Sequence, residues 1–197
     1  MTGLLKHCTL CPRACGADRT RTRGLCGAGA QVEASRASLH LWEEPPISGT
    51  RGSGTVFFTH CSLGCVFCQN RQISRRAASG TTVSIAELAK TFLSLQNKGA
   101  HNINLVTGAH YAPQIIEALA QAVIRGDYGN GDDRRAALGA SYDAVQARVN
   151  EILGAGGSDG GPGEADIDAL ARAVIRGEYG NGEERKSRLG SLYDAVQ

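Results

Sequence analysis

The sequence predicts an α/β front followed by an all-α rear: the start of a parallel βα array behind a cysteine-rich segment, then two small three-helix repeats. Three observations carry this. Apolar patterning runs strand, helix, strand, helix between residues 55 and 124. The composition breaks near residue 117: residues 1–116 hold 12 Lys/Arg against 5 Asp/Glu, a net +7, whereas residues 117–197 hold 9 against 14, a net −5. All seven cysteines, all four phenylalanines and Trp42 precede that break. From Ala118 the chain then repeats itself, with 20 of 29 positions identical between 118–146 and 169–197. The expected organisation is a Cys-rich metal-binding segment (1–40), an α/β segment (41–117), repeat one (118–154), a Gly-rich linker (155–165) and repeat two (166–197).

The basic front contains no Lys/Arg run interleaved with aromatics, which argues against nucleic acid as a partner. The opening MTGLLKHCTLC lacks the apolar core of a signal peptide, and no stretch approaches a membrane span. The expectation is a cytoplasmic protein without membrane contact. In that reducing compartment, clustered cysteines point to metal or redox chemistry rather than disulfides. Thiolates bound to metal would also cancel part of the front's positive charge.

The first cysteine group is Cys8-x2-Cys11-x3-Cys15-x10-Cys26. Four thiolates with two close pairs suit zinc or an iron–sulfur cluster equally. The second group follows Thr55–Thr59, a β-branched and aromatic run behind a glycine turn that reads as a buried strand. It is Cys61-x3-Cys65-x2-Cys68. Three thiolates can hold three irons of a cubane and leave the fourth iron open; the alternative is a zinc site completed by His60 or His7. Gly64 gives this loop the freedom to wrap.

Beyond the loop, apolar residues at 85, 88, 89, 92, 93 and 95 make a helical stripe, opened by Ser84 as N-cap with Glu87 three residues on, and closed by Gly99. NINLVTGAHY, residues 102–111, reads as the next strand, and Ala112-Pro113-Gln114 starts the next helix, with Pro near its first position. That helix carries a stripe of Ile116, Leu119, Ala120, Val123 and Ile124.

The C-x3-C-x-aromatic-C signature, with Phe67 before Cys68, resembles that of radical S-adenosylmethionine (SAM) enzymes. The string EEPPISGTRGSGTVFFTHCSLGCVFCQNRQIS, residues 43–74, is similar to the branch of pyruvate formate-lyase-activating enzymes. The likeness covers roughly residues 6–120. It implies a [4Fe-4S] cluster on Cys61, Cys65 and Cys68, with SAM on the open iron and Phe67, Thr107 and His110 in the cofactor-binding region. It also implies reductive SAM cleavage and a partial TIM-barrel-like fold. The Cys8, Cys11, Cys15, Cys26 group resembles the leader of the same branch and would hold zinc or a second cluster. The chain supplies only two of the strand–helix units of such a barrel. The expectation is therefore a truncated or chimeric product, acting with a barrel-completing chain or on a protein substrate.

In the rear, Ile167, Leu170, Ala171, Val174 and Ile175 fall on one helical face, and Gly180-Asn181-Gly182 supplies a turn. Tyr142, Val145, Val149, Ile152 and Leu153 form a second stripe in repeat one. Residues 154–166, GAGGSDGGPGEAD, read as a flexible tether. The motif Val-Ile-Arg-Gly-x-Tyr-Gly-Asn-Gly-x-x-Arg, followed by Leu-Gly-x-x-Tyr-x-x-Val-Gln, resembles the C-terminal cell-wall-binding repeats of Cpl-type phage lysozymes. The resemblance implies a peptidoglycan muropeptide as partner, reached after lysis or non-classical release.

By chemistry, Tyr128, Asn130, Arg134 and Tyr142, with counterparts Tyr179, Asn181, Arg185 and Tyr193, are candidates for ligand contact. Tyr stacks on sugar faces and Arg pairs with carboxylates. The alternative places both tyrosines in the core and the arginines on a solvated face. Three functions follow: an activase-like radical SAM protein bearing wall-binding repeats, a wall-binding protein whose front only holds metal, or a cytosolic zinc-binding scaffold.

Overall fold

The computed structural model describes residues 2–42, 44–154, 174 and 186. Residues Met1–Gly154 form one compact unit and Ala155–Gln197 a second. In the first, a short helix α1 (Thr2–Lys6) leads into an irregular cysteine-bearing segment and then strand β1 (Val32–His40). One-turn helix α2 (Pro45–Ser48), strand β2 (Ser53–Phe58), one-turn helix α3 (Arg71–Ser74) and strand β3 (Thr81–Val83) follow. Then come α4 (Ile85–Asn97), β4 (Ile103–Val106), a 3-10 turn (Gly108–Tyr111), α5 (Ala112–Ile124), α6 (Gly131–Leu138) and α7 (Tyr142–Ile152).

The four strands form one sheet in the order β3-β1-β2-β4. β2 pairs parallel with β4, Gly54 opposite Ile103 and Phe57 opposite Val106, as strand–helix–strand patterning implies. The expected all-parallel array is nonetheless corrected: β1 runs antiparallel to both β2 and β3, so the sheet is mixed. β1 escapes sequence reading because its pattern is blurred. VEASRASLH is short on bulky residues, its centre is exposed, and a bulge between Ala34 and Arg36 shifts its register. With β1 on one side and β4 on the other, β2 is central, which explains its nearly continuous burial.

α4 lies on the sheet through Leu88, Ala89, Phe92 and Leu95. Its start is the expected capping box: Ser84 Oγ accepts from Glu87 N–H at 3.2 Å while the Glu87 carboxylate accepts from Ser84 N–H at 2.8 Å. Gly99, at φ 86°, follows its C-cap. α5 packs against both α4 and α7. Its buried positions are Pro113, Gln114, Ile115, Ala118, Ala120, Ala122 and Val123, which corrects the predicted stripe: of that stripe only Ala120 and Val123 are buried, Ile116 and Leu119 are half-buried, and Ile124 is exposed. Three fully buried alanines let this helix approach neighbours closely on more than one side. In α7, Val145 and Val149 are buried whereas Ile152 and Leu153 are exposed. An ion pair from Arg148 to Glu117, 2.7 Å, ties α7 to α5. Among the described residues, no helix is long and apolar enough to cross a membrane.

Candidate metal centre and repeat surface

At the end of β2, Thr59 and His60 are fully buried and the chain turns sharply, with His60 at φ 69°. His60 N–H donates to Ile73 O at 2.7 Å, closing the base of the loop that carries Cys61, Cys65 and Cys68. Local donors already serve two sulfurs: Leu63 N–H lies 3.4 Å from Cys61 Sγ and Ser74 Oγ 3.5 Å from Cys68 Sγ. The Ser74 hydroxyl, then the Asn70 backbone, hold the Cys68 thiol below its ordinary pKa, favouring thiolate. Gly64 sits at φ 66° with open space around the position a Cβ would take, so the loop is unhindered there. Its tip projects outward: Val66 is 83 % and Phe67 87 % exposed.

The N-terminal cysteine segment wraps against this loop. Cys8 N–H donates to Ala17 O at 3.1 Å and Gly16 N–H to Cys8 O at 3.0 Å, folding residues 8–17 back on themselves. The sulfurs of Cys15 and Cys26 both lie close to Gly24, 3.7 and 3.5 Å from where a Cβ would stand. Backbone hydrogen bonds from Leu25 and Ala17 lower the Cys15 pKa. Among the described residues no group of three or more His, Cys, Asp or Glu side chains converges as a metal site. Instead the thiols line two adjacent segments, partly exposed apart from buried Cys8, with N–H and O–H donors close to their sulfurs. The thiols thus have local donors that favour the thiolate form, but in this structure they do not assemble a metal-binding set.

The two segments are joined by partly buried polar contacts that sequence spacing does not reveal. Arg23 donates to Glu33 at 2.7 Å, and the other Glu33 oxygen lies 3.1 Å from His60 Nε2. Burial works against the Glu33 charge, but hydrogen bonds from His60 and Arg23 outweigh it and lower its pKa. Gly27, at φ 97°, comes so close that a Cβ would strike Arg76 O and stand 2.9 Å from His60 Nδ1. Arg19, only 2 % exposed, donates to Gly29 O and to His110 O, both at 2.6 Å, and lies over the Tyr111 ring.

Thr107 and His110 emerge at the end of β4, beside the start of the cysteine loop. Thr107 Oγ1 donates to Phe58 O at 3.0 Å, and His110 Nε2 lies 3.0 Å from Thr59 O, the geometry of a protonated Nε2 donating. Burial lowers the His110 pKa to about 4, so the ring is neutral near pH 7. Both residues are thus brought to the cysteine loop, but their polar atoms are engaged with β2. Phe67, in contrast, stands at the exposed tip.

In repeat one, Arg134 donates to Gly129 O, to Asn130 Oδ1 at 2.9 Å and to Gln146 Oε1 at 3.1 Å. Gln146 passes its own donor to Asn150 Oδ1, 2.9 Å away. Asn130 and Arg134 are therefore together on one polar face that also includes Gln146, and Gln146 returns as Gln197 in the second copy. Tyr142 is half-buried, with the Arg135 guanidinium 4.3 Å from its ring centre. Tyr128 is 7 % exposed, and burial raises its pKa; its ring belongs to the core and is not open for stacking. Tyr179, Asn181, Arg185 and Tyr193 lie outside the described residues, as does the 155–165 linker.

The CW_7 repeat family model matches this chain twice, at residues 117–153 and 168–197. The chain carries two CW_7 matches. They support a cell-wall-binding role for the rear half. Over 72 residues the chain is 38 % identical to an uncharacterized protein of Methanocaldococcus jannaschii, MJ0674; the match covers 36 % of this chain and 20 % of that protein. The chain thus spans about a fifth of the length of this curated relative. No solved structure matches.

Proposed function

We propose that this chain binds the peptidoglycan of cell walls through its two repeats, and that its cysteine-rich front holds metal. The double CW_7 match carries the reading. Within the first copy, the polar face of Asn130, Arg134 and Gln146 offers amide and guanidinium groups suited to a muropeptide's acetamido and carboxylate groups. Two copies on one chain make the second encounter with an insoluble wall effectively intramolecular, which raises avidity without new contacts. The direct test is sedimentation of the intact chain with purified peptidoglycan. Co-pelleting that soluble muropeptide displaces supports the reading; a chain that stays in the supernatant at low and moderate salt refutes it.

A second reading concerns the front, and one arrangement favours it: the three-cysteine loop leaves β2 next to the end of parallel strand β4, where Thr107 and His110 sit. Here Cys61, Cys65 and Cys68 would hold a [4Fe-4S] cluster with SAM beside it. Such a pair, if bound and reduced, would supply radical chemistry for hydrogen abstraction. The chain's own contribution is positional. His60 and Ile73 close the loop base, Ser74 stabilises the Cys68 thiolate, and Thr107 and His110 fasten β4 and its following turn to β2. Anaerobic reconstitution with iron and sulfide, followed by electron paramagnetic resonance with and without SAM, distinguishes this from simple metal storage. A signal that SAM leaves unaltered rules out the radical reading and leaves wall binding untouched.

A further inference from the structure

We propose that Cys8 and Cys15 form a reversible thiol–disulfide couple, in which Cys15 meets a small-molecule disulfide from solvent and Cys8 completes the exchange from beneath. The pairing involves two thiols only and needs neither a metal nor further ligands. The fold of residues 8–17 carries it. Cys8 N–H donates to Ala17 O at 3.1 Å and Gly16 N–H to Cys8 O at 3.0 Å, so the Cys8 backbone lies against the segment that bears Cys15. Ala14 N–H donates to Cys11 O at 2.9 Å and closes the turn between them. The side chains then meet: the Cys8 thiol hydrogen-bonds the Cys15 sulfur.

The surroundings of the two sulfurs assign their roles. Cys15 is partly open to solvent, and its sulfur also accepts from backbone N–H groups of Leu25 and Ala17. Such donors stabilise the thiolate, which is the attacking species in exchange. Cys8 is buried, with Arg19 Nη1 3.9 Å from its sulfur, and Arg19 is itself held by the carbonyls of Gly29 and His110. An oxidant therefore reaches Cys15 first. Cys26 is the rival partner, since its sulfur also lies near Gly24, but that sulfur is engaged by Ala28 N–H at 3.4 Å. In the first step the Cys15 thiolate attacks a disulfide RSSR, whose S–S bond breaks, leaving a mixed disulfide on Cys15 and releasing RS⁻. Cys8 then gives up its proton and attacks the Cys15 sulfur, and the second RS⁻ leaves as the Cys8–Cys15 bond forms. Two protein thiols are oxidised, RSSR is reduced, and the two protons end on two RSH. Only six residues separate the cysteines, so ring closure is favoured over capture of a second RSSR.

The test takes the intact chain, reduced and treated with a chelator, exposes it to oxidised glutathione, alkylates the remaining thiols and digests it with trypsin. Cleavage after Lys6, Arg13 and Arg19 places Cys8 and Cys11 in HCTLCPR, residues 7–13, and Cys15 in ACGADR, residues 14–19. Mass spectrometry is expected to find these two peptides joined, and dithiothreitol to part them. In Cys11→Ala the link can come only from Cys8, so retention of the joined pair assigns the bond. Cys26→Ser is expected to leave the pair in place. Cys8→Ser is expected to lose it and to accumulate glutathione on Cys15, the trapped first step. Cys8 is buried, so circular dichroism checks that variant; if it is unfolded, the Cys11→Ala result decides alone. Absence of the joined pair in Cys11→Ala, or Cys15 linked to Cys26 instead, overturns the proposal. So does a pair that forms equally fast in chain unfolded by urea, because the fold would then contribute nothing to it.

Discussion

His110 shows how a residue chosen for one role takes another in the fold. It is 2 % exposed, its Nε2 bonds Thr59 O, and Arg19 donates to its carbonyl. Its pKa is lowered to about 4, chiefly by burial, against an unfolded value near 6.5. Between those values the unfolded chain binds the extra proton and the folded chain does not, so stability rises with pH through this window. The stabilisation is complete above about pH 6.5 and is lost as pH falls toward 4; at most about 3 kcal/mol is involved. Thermal melting should therefore fall between pH 7 and 4, and a His110→Gln variant, which keeps a donor but does not titrate, should lose part of that slope. An identical slope in the variant would show that other groups govern it. Cys61, Cys65, Cys68 and Cys8 to Cys26 stand out in the sequence because spacing along the chain is itself the signal, yet among the described residues their side chains do not converge as a metal site. Arg19, Arg23 and Glu33 carry no such signal, because each acts on a partner brought near only by folding, Arg19 on His110 being 91 positions away.

At the scale of elements, local chemistry is read well and pairing poorly. The Ser84–Glu87 capping box is written in four consecutive residues, and α4 begins where it predicts. Ser84→Ala should cost about 1 kcal/mol, visible as a lower denaturant midpoint with an unchanged slope. β1, by contrast, is a strand only because β2 and β3 flank it; its own residues alternate weakly, so the mixed character of the sheet was hidden. α5 falls between these cases. Its helical period is plain, but only the fold shows that Ala118, Ala120 and Ala122 are all fully buried. Ala118→Leu should overpack that helix and destabilise by about 1–3 kcal/mol. A neutral outcome in chemical denaturation would mean that α5 has more room than its burial indicates.

For the whole molecule, the exposed cysteine loop sets an expectation for chemistry. Val66 and Phe67 stand in solvent beside the thiols, and water access favours side reactions of a radical. The purified chain alone should form 5′-deoxyadenosine poorly even after cluster reconstitution; robust, reductant-dependent formation would contradict this. Avidity gives a second expectation. A chain ending at Gly154, the boundary of the first compact unit, keeps one CW_7 match and should bind peptidoglycan more weakly than the intact chain by roughly tenfold or more. Equal binding by the two would assign recognition to the first copy alone.

The sharing of α5 also bears on how the wall-binding part could be moved to another protein. The CW_7 match begins at residue 117, within a helix that starts at Ala112 and packs on α4 as well as α7. A graft cut at the match boundary would sever that helix and present its α4-facing flank to water, making a sticky cargo of what is an interior surface in the parent. A transplant that carries α4 along, starting at the Ser84 cap, covers that flank but bares the Leu88, Phe92 and Leu95 face that α4 packs on the sheet. Portability of the first copy is thus set by a helix that lies outside the matched repeat.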